Sequence, residues 1–170
     1  MTRDQVPNEP SLNISGESGA NIDYRDAGGN LIWQIPVHTV VLVAEYTNPY
    51  GPQADDYFLI FVFVKQGQCY FRTATFYAAG AEESLQVLSA LWHEPLRFGL
   101  CDSTDWKSRV IWPKELVDQE YFTFTEITPR SLLERLSRLC SGVVHEYSPS
   151  ATVKGYCEGV LREHPAGGLR

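Results

Sequence analysis

Three carboxylates, Glu45, Asp55 and Asp56, flank the loop Asn48-Pro49-Tyr50-Gly51-Pro52-Gln53-Ala54, so a hairpin closing there would gather them at one end. Grouped carboxylates do one of two things. They hold a divalent cation through hard oxygen ligands, or their mutual repulsion raises one carboxyl pKa and makes it a general acid. The spacing matches no calcium loop, since no Asp-x-Asp/Asn-x-Asp/Asn-Gly run with a glutamate at the twelfth place is present. The plainer reading is a solvated, turn-forming acidic loop.

Other reactive residues form no familiar constellation. His38, His93, His145 and His164 stand far apart, outside any His-Glu-x-x-His or Cys/His zinc spacing. His93 falls where a helix ends, which suits a structural cation at the negative end of the helix dipole. Cys101-Asp102 with His93 would make a thiolate nucleophile, but no local signature accompanies the pair and an incidental thiol is the simpler reading. Ser15-Gly16-Glu17-Ser18-Gly19 is neither a nucleophile elbow nor a phosphate-binding loop. No cofactor is expected.

Aromatic residues offer a second kind of site. Tyr50 and Trp106 lie in polar stretches and read as exposed anchors, because tyrosine and tryptophan dominate binding hot spots. Trp92 lies on an apolar helix face and reads as core. Glu45, Tyr50, Asp55, Asp56 and Trp106 are therefore the candidate binding residues.

The elements that must position them are readable. Val40 to Ala44 and Tyr57 to Val64 are continuous apolar runs rich in β-branched and aromatic residues, which predicts strands covered on both faces. Gln66-Gly67-Gln68 predicts a tight turn into a strand Cys69 to Tyr77. Asp26-Ala27-Gly28-Gly29-Asn30 predicts a hairpin over Asn21 to Ile35, after a short strand Ser11 to Ser15. Pro36 separates that hairpin from a strand His38 to Thr47.

Helices are expected over Ala81 to Glu94, capped by Gly80 and faced by Leu85, Leu88, Leu91 and Trp92, and from Thr128 to Gly142, faced by Leu132, Leu133, Leu136 and Leu139. Arg109 to Trp112 and Tyr121 to Thr125 read as a further hairpin, Val143 to Tyr147 as a short strand, and Val153 to Arg162 as a short helix or wrap. The fold class is α+β, a mainly antiparallel sheet with two amphipathic helices packed on it. Residues 1 to 10 read as a flexible arm, 11 to 163 as a single domain, and 164 to 170 as a frayed tail.

Two architectures are similar to this order. Strands from Leu12 to Tyr77 followed by the helix from Ala81 resemble a pleckstrin-homology-like barrel closed by a terminal helix, the alternative fold, over about the first 95 residues. The βββα-ββα order from His38 to Gly142 also resembles type III secretion chaperones, small acidic cytoplasmic dimers that hold an extended partner. The leading helix of that family is replaced here by strands, and no site residue is carried over.

Composition narrows the function. The 170 residues carry 14 Lys plus Arg against 21 Asp plus Glu, a formal charge of −7 that repels nucleic acid and anionic membranes. Arg130, Arg135 and Arg138 read as a solvated helix face. The start of the chain shows no apolar leader and no stretch long enough to span a bilayer, so Cys69, Cys101, Cys140 and Cys157 are expected as cytoplasmic thiols. The expectation is a non-catalytic intracellular protein-binding module of escort, adaptor or immunity type, with a basic protein partner and a possible homodimer. The alternative is a metal-dependent hydrolase using Glu45, Asp55 and Asp56.

Overall fold

A computed structural model describes residues 9–16, 21–50, 54–126 and 145–163. The strands are β1 Ser11–Ser15, β2 Asn21–Arg25, β3 Leu31–Pro36, β4 Val40–Thr47, β5 Tyr57–Lys65, β6 Gln68–Thr75, β7 Lys107–Trp112, β8 Phe122–Glu126 and β9 His145–Pro149. Helix α1 spans Ala81–Trp92 and α2 spans Ala151–Glu163. The protein is α+β, with the strands of the described residues in three antiparallel sheets ordered β1-β2-β3, β6-β5-β4-β7 and β8-β9. No closed barrel forms among the described residues, which removes the barrel alternative.

The continuous apolar runs become β4 and β5, the two inner strands of the four-stranded sheet, and both faces are covered as their composition requires. Val43, Leu59 and Phe61 face a core shared with Leu12, Ile22 and Ile35 of the three-stranded sheet and Leu85 and Leu88 of α1. Leu42, Ala44, Ile60 and Val62 face a second core with Val110, Tyr121, Phe122 and Val153. Tyr156, Cys157, Val160 and Leu161 pack against it at helical spacing along α2.

Local chemistry sets the connections. Gln66 and Gly67 both take positive φ, 52° and 71°, the twist that joins antiparallel strands through two residues, so Lys65 pairs with Gln68. Asp26 closes the β2–β3 turn by accepting from the backbone of Gly28 at 2.8 Å and Asn30 at 2.9 Å. Gly80, at φ 79°, brings α1 so close to β1 that a Cβ there would lie 2.7 Å from the Leu12 carbonyl oxygen, and Ser84 donates to that same oxygen at 2.9 Å.

Several expectations need correction. His38 is in a single 3-10 turn, Val37–Thr39, held by the Thr39 hydroxyl donating to the Pro36 carbonyl at 2.7 Å, so β4 starts at Val40. Helix α1 ends at Trp92 because His93 adopts a left-handed conformation, φ 55°, before Pro95 is reached. Leu91 is exposed rather than core, while Trp92 is half-buried and stacks on Trp112 at 4.3 Å.

The expected hairpin of β7 with β8 does not form. β7 joins the free edge of β4, and the chain at Asp118 and Gln119 folds back to bond both backbone groups of Val110. The Ser108 hydroxyl accepts from Phe122 N at 2.8 Å, so a side chain stands where a ladder bond would, and β8 pairs with β9 instead. The expected helix from Thr128 to Gly142 lies outside the described residues, as do residues 1–8 and 164–170. Among the described residues no helix is long and apolar enough to cross a membrane.

Candidate functional site

Residues Glu45 and Tyr46 are neighbours on β4 and therefore project to opposite faces of the sheet. Each organises a different polar or aromatic group.

Glu45 is fully buried among the residues facing α1. Antiparallel register sets Arg109 of β7 directly opposite it, and Arg109 donates Nε and Nη2 to Glu45 Oε1, both at 2.8 Å. Gly99 N donates to the same oxygen at 2.9 Å, and the Tyr57 hydroxyl donates to Oε2. The remaining guanidinium donors go to the Asp118 carboxylate at 2.8 Å and the Arg97 carbonyl at 2.6 Å. Burial, then the bond to Glu45, pushes the Tyr57 phenol far above its ordinary range. A carboxylate paired this completely is a fixed anion with little capacity left for substrate or metal.

Asp55 and Asp56 do not join it. Asp55 is exposed, and Asp56 accepts from the Tyr77 hydroxyl at 2.6 Å. That bond, more than burial, pushes the Tyr77 phenol up to about 12. Among the described residues no three His, Cys, Asp or Glu side chains gather as a metal-ligand set. The expected carboxylate cluster is thus divided: strand alternation turns Glu45 into the core while its loop partners stay outside.

The thiols separate similarly. Cys101 lies 3.9 Å from the Tyr57 hydroxyl and makes no hydrogen bond with His93. Cys69 lies 4.0 Å from the Cys157 carbonyl oxygen, and burial raises both thiol pKa values, Cys157 to about 12, which keeps them protonated near neutrality.

Tyr46 begins an aromatic group on the other face. It stacks on its cross-strand partner Phe58 at 4.8 Å and 14°. Phe122 stands edge-on to Tyr46 at 5.6 Å and 80°, and edge-on to Tyr147 at 5.1 Å and 66°. Tyr147 is stacked on Trp106 at 6.4 Å and 25°, and Tyr50 meets Trp106 edge-on at 5.8 Å and 88°. Six rings from five segments thus form one continuous chain. All but Tyr50 line a cleft of about 160 Å³, together with Asn48: the ring walls are Tyr46, Phe58, Trp106, Phe122 and Tyr147.

Backbone bonds aim these rings. The Thr47 hydroxyl donates to the Asp105 carbonyl at 2.8 Å, fixing the segment before Trp106 against the end of β4. Asn48 N donates to the Asp56 carbonyl at 2.9 Å and closes the loop, while its side-chain oxygen accepts from Tyr50 N at 2.9 Å. Burial, with a smaller electrostatic contribution from the neighbouring Tyr147, raises Tyr46 to about 12, so the cleft presents a neutral Tyr46 phenol at pH 7.

Tyr50 and Trp106, the two anchors read from sequence, meet here. No protein-family model, curated protein or solved structure matches the chain. Function therefore rests on the geometry. Tyr46, Asn48, Phe58, Phe122 and Tyr147 are the lining residues absent from the sequence-based candidates. Phe58 had one signal: it lies within an apolar run at a strand end, where an aromatic side chain can reach the rim of the sheet.

Proposed function

We propose that this protein is a non-catalytic binding module of escort, adaptor or immunity type, and that the aromatic cleft receives one side chain of a protein partner carrying a basic surface. The observation that carries the reading is the cleft itself, about 160 Å³ walled by five rings and one carboxamide. An engineered apolar cavity of about 150 Å³ holds a benzene-sized group, so this space suits one side chain rather than an extended small-molecule substrate. Tyr50 and Tyr147, both more than half exposed, flank Trp106 and provide aromatic contact area outside the cavity.

Charge supports the choice of partner. The chain is acidic overall, and Asp55 and Asp105 are exposed in segments bonded to Asn48 and Thr47 at the end of β4. Such a surface steers a basic partner and makes association salt-sensitive. The test is affinity capture at low and high salt with the wild-type protein and with Tyr147→Ala and Trp106→Ala variants whose melting curves show them folded. A partner retained by wild-type, released by salt and lost by both variants supports the reading. Equal capture by all three proteins refutes the cleft as the binding site.

A further inference from the structure

We infer that the group received by the cleft is a quaternary ammonium, such as the side-chain head of a trimethylated lysine; the inference rests on the cleft being the binding site. The arrangement of the walls selects the shape. Phe122 is close to perpendicular to Tyr46 and steeply inclined to Tyr147, at 80° and 66°, so the rings make a box rather than a slot. A flat guest inserted between two parallel rings needs about 7 Å between them, two contacts of roughly 3.5 Å each. The parallel pairs here are closer, 4.8 Å for Tyr46 with Phe58 and 6.4 Å for Trp106 with Tyr147, so neither pair admits a nucleobase or another aromatic ring between its members. A compact, rounded head fits the space that remains.

The wall chemistry selects the charge. Ring faces attract cations through their quadrupole, most strongly where water is displaced. Among the described residues lining the cleft none is an acidic or basic side chain, and burial keeps the Tyr46 phenol protonated at neutral pH. The alternation of β7 sends Lys107, with Arg109, to the opposite face of the sheet from the cleft.

The same walls disfavour an unmodified lysine. A primary ammonium carries three N–H donors that must be satisfied when it leaves water. The lining contains no carboxylate, and the Asn48 carboxamide oxygen already accepts from Tyr50 N. A trimethylammonium has no N–H to satisfy, keeps its full charge, and presents methyl groups to the rings. Its attraction to the acidic chain is retained while its desolvation cost is lower.

Three peptides of one basic sequence test this, differing only at a central residue: trimethyllysine, lysine, or the neutral carbon isostere with a tert-butyl head. Binding is read by NMR shifts of the Trp106 indole N–H and the Asn48 side-chain amide in the full chain. The trimethyllysine peptide is expected to bind on the order of five-fold or more tighter than either of the others. Tyr147→Ala, at an exposed position, is expected to abolish that preference while leaving the fold intact. Equal affinity for the tert-butyl peptide, with shifts at the same two groups, overturns the charge assignment and leaves the cleft as a binding site. Tighter binding of lysine also overturns it. Absence of shifts with all three peptides overturns both the assignment and the cleft reading.

Discussion

Removing the cation from the buried Glu45–Arg109 pair is the perturbation with the largest expected effect on this protein. In Arg109→Met, Glu45 loses the two bonds at 2.8 Å that supply its counter-charge and keeps only Gly99 N and the Tyr57 hydroxyl, while remaining fully buried. An uncompensated buried charge costs about 3–5 kcal/mol. The lost contact with Asp118, whose side chain is 70% exposed, adds at most about 1 kcal/mol.

Glu45→Gln removes the charge but keeps an acceptor for Gly99 and a polar neighbour for Tyr57. Arg109 would keep Asp118 and the Arg97 carbonyl, so this variant should lose about 1–2 kcal/mol. The double variant has no buried charge and should be more stable than Arg109→Met alone, so the coupling exceeds the Glu45→Gln loss and is at least about 1 kcal/mol. Urea unfolding followed by tryptophan fluorescence and far-UV circular dichroism measures all four corners of the cycle. For a chain of this size the Arg109→Met loss corresponds to a melting shift of roughly 10 °C. Additive single effects, or a loss under about 1 kcal/mol for Arg109→Met, would refute the account of Glu45 as a buried anion held by its cation.

Two further outcomes test neighbouring geometry. A Cβ at Gly99 would overlap the Arg109 guanidinium, so Gly99→Ala should displace that group and lower stability by about 1–3 kcal/mol, with a much smaller effect in the Arg109→Met background. Tyr77 titrates near 12 in the fold against about 10 when unfolded, so the folded state holds a proton that the unfolded state has released in that interval. Its contribution is complete below about pH 10 and falls as pH rises towards 12; in Tyr77→Phe the urea midpoint should decline less steeply from about pH 9 to about pH 11.5, and an unchanged slope would count against the Asp56 bond.

The central sheet was legible because hydrophobic continuity is a local signal. Val40 to Ala44 and Tyr57 to Val64 lack the alternation of a half-exposed strand, and both faces are indeed covered. The Gln66-Gly67 turn and the Asp26 turn were legible for the same reason, since the residues that make the turn are adjacent in the chain. Tyr50 and Trp106 stood out as large aromatic residues in polar stretches, and they meet edge-on, with Tyr50 exposed and Trp106 partly buried.

What escaped the sequence reading depends on distant partners. Glu45 looks like a loop carboxylate because it lies near a strand end before an acidic turn, and the residue that neutralises it is 64 positions away. The β7–β8 hairpin seemed natural because the segments are consecutive, yet β4 offered a free edge and Ser108 used its hydroxyl against Phe122. Phe122 reaches the cleft through its bond to Ser108, which stands opposite Tyr46, and Tyr147 through the β8–β9 pairing, which joins it to Phe124 across a long interval of chain.

The buried ion pair and the aromatic cleft are coupled through strand register. With Glu45 opposite Arg109 and Tyr46 opposite Ser108, continuing the antiparallel count sets Trp106 opposite Asn48, and both line the cleft on the face carrying Tyr46. A one-residue slip of β7 would place Ser108 or Val110 opposite Glu45, leaving its carboxylate buried without a cation. The same slip would carry Trp106 to the other face of the sheet and dismantle the cleft. Apolar residues alone resist such a slip weakly here, because both faces of β4 are hydrophobic and either would accept the neighbouring strand. A single buried charge with one matching cation distinguishes the registers by the desolvation cost of a mispaired carboxylate. The polar pair on one face therefore specifies the position of the cleft residues on the other, although none of its atoms lines the cleft.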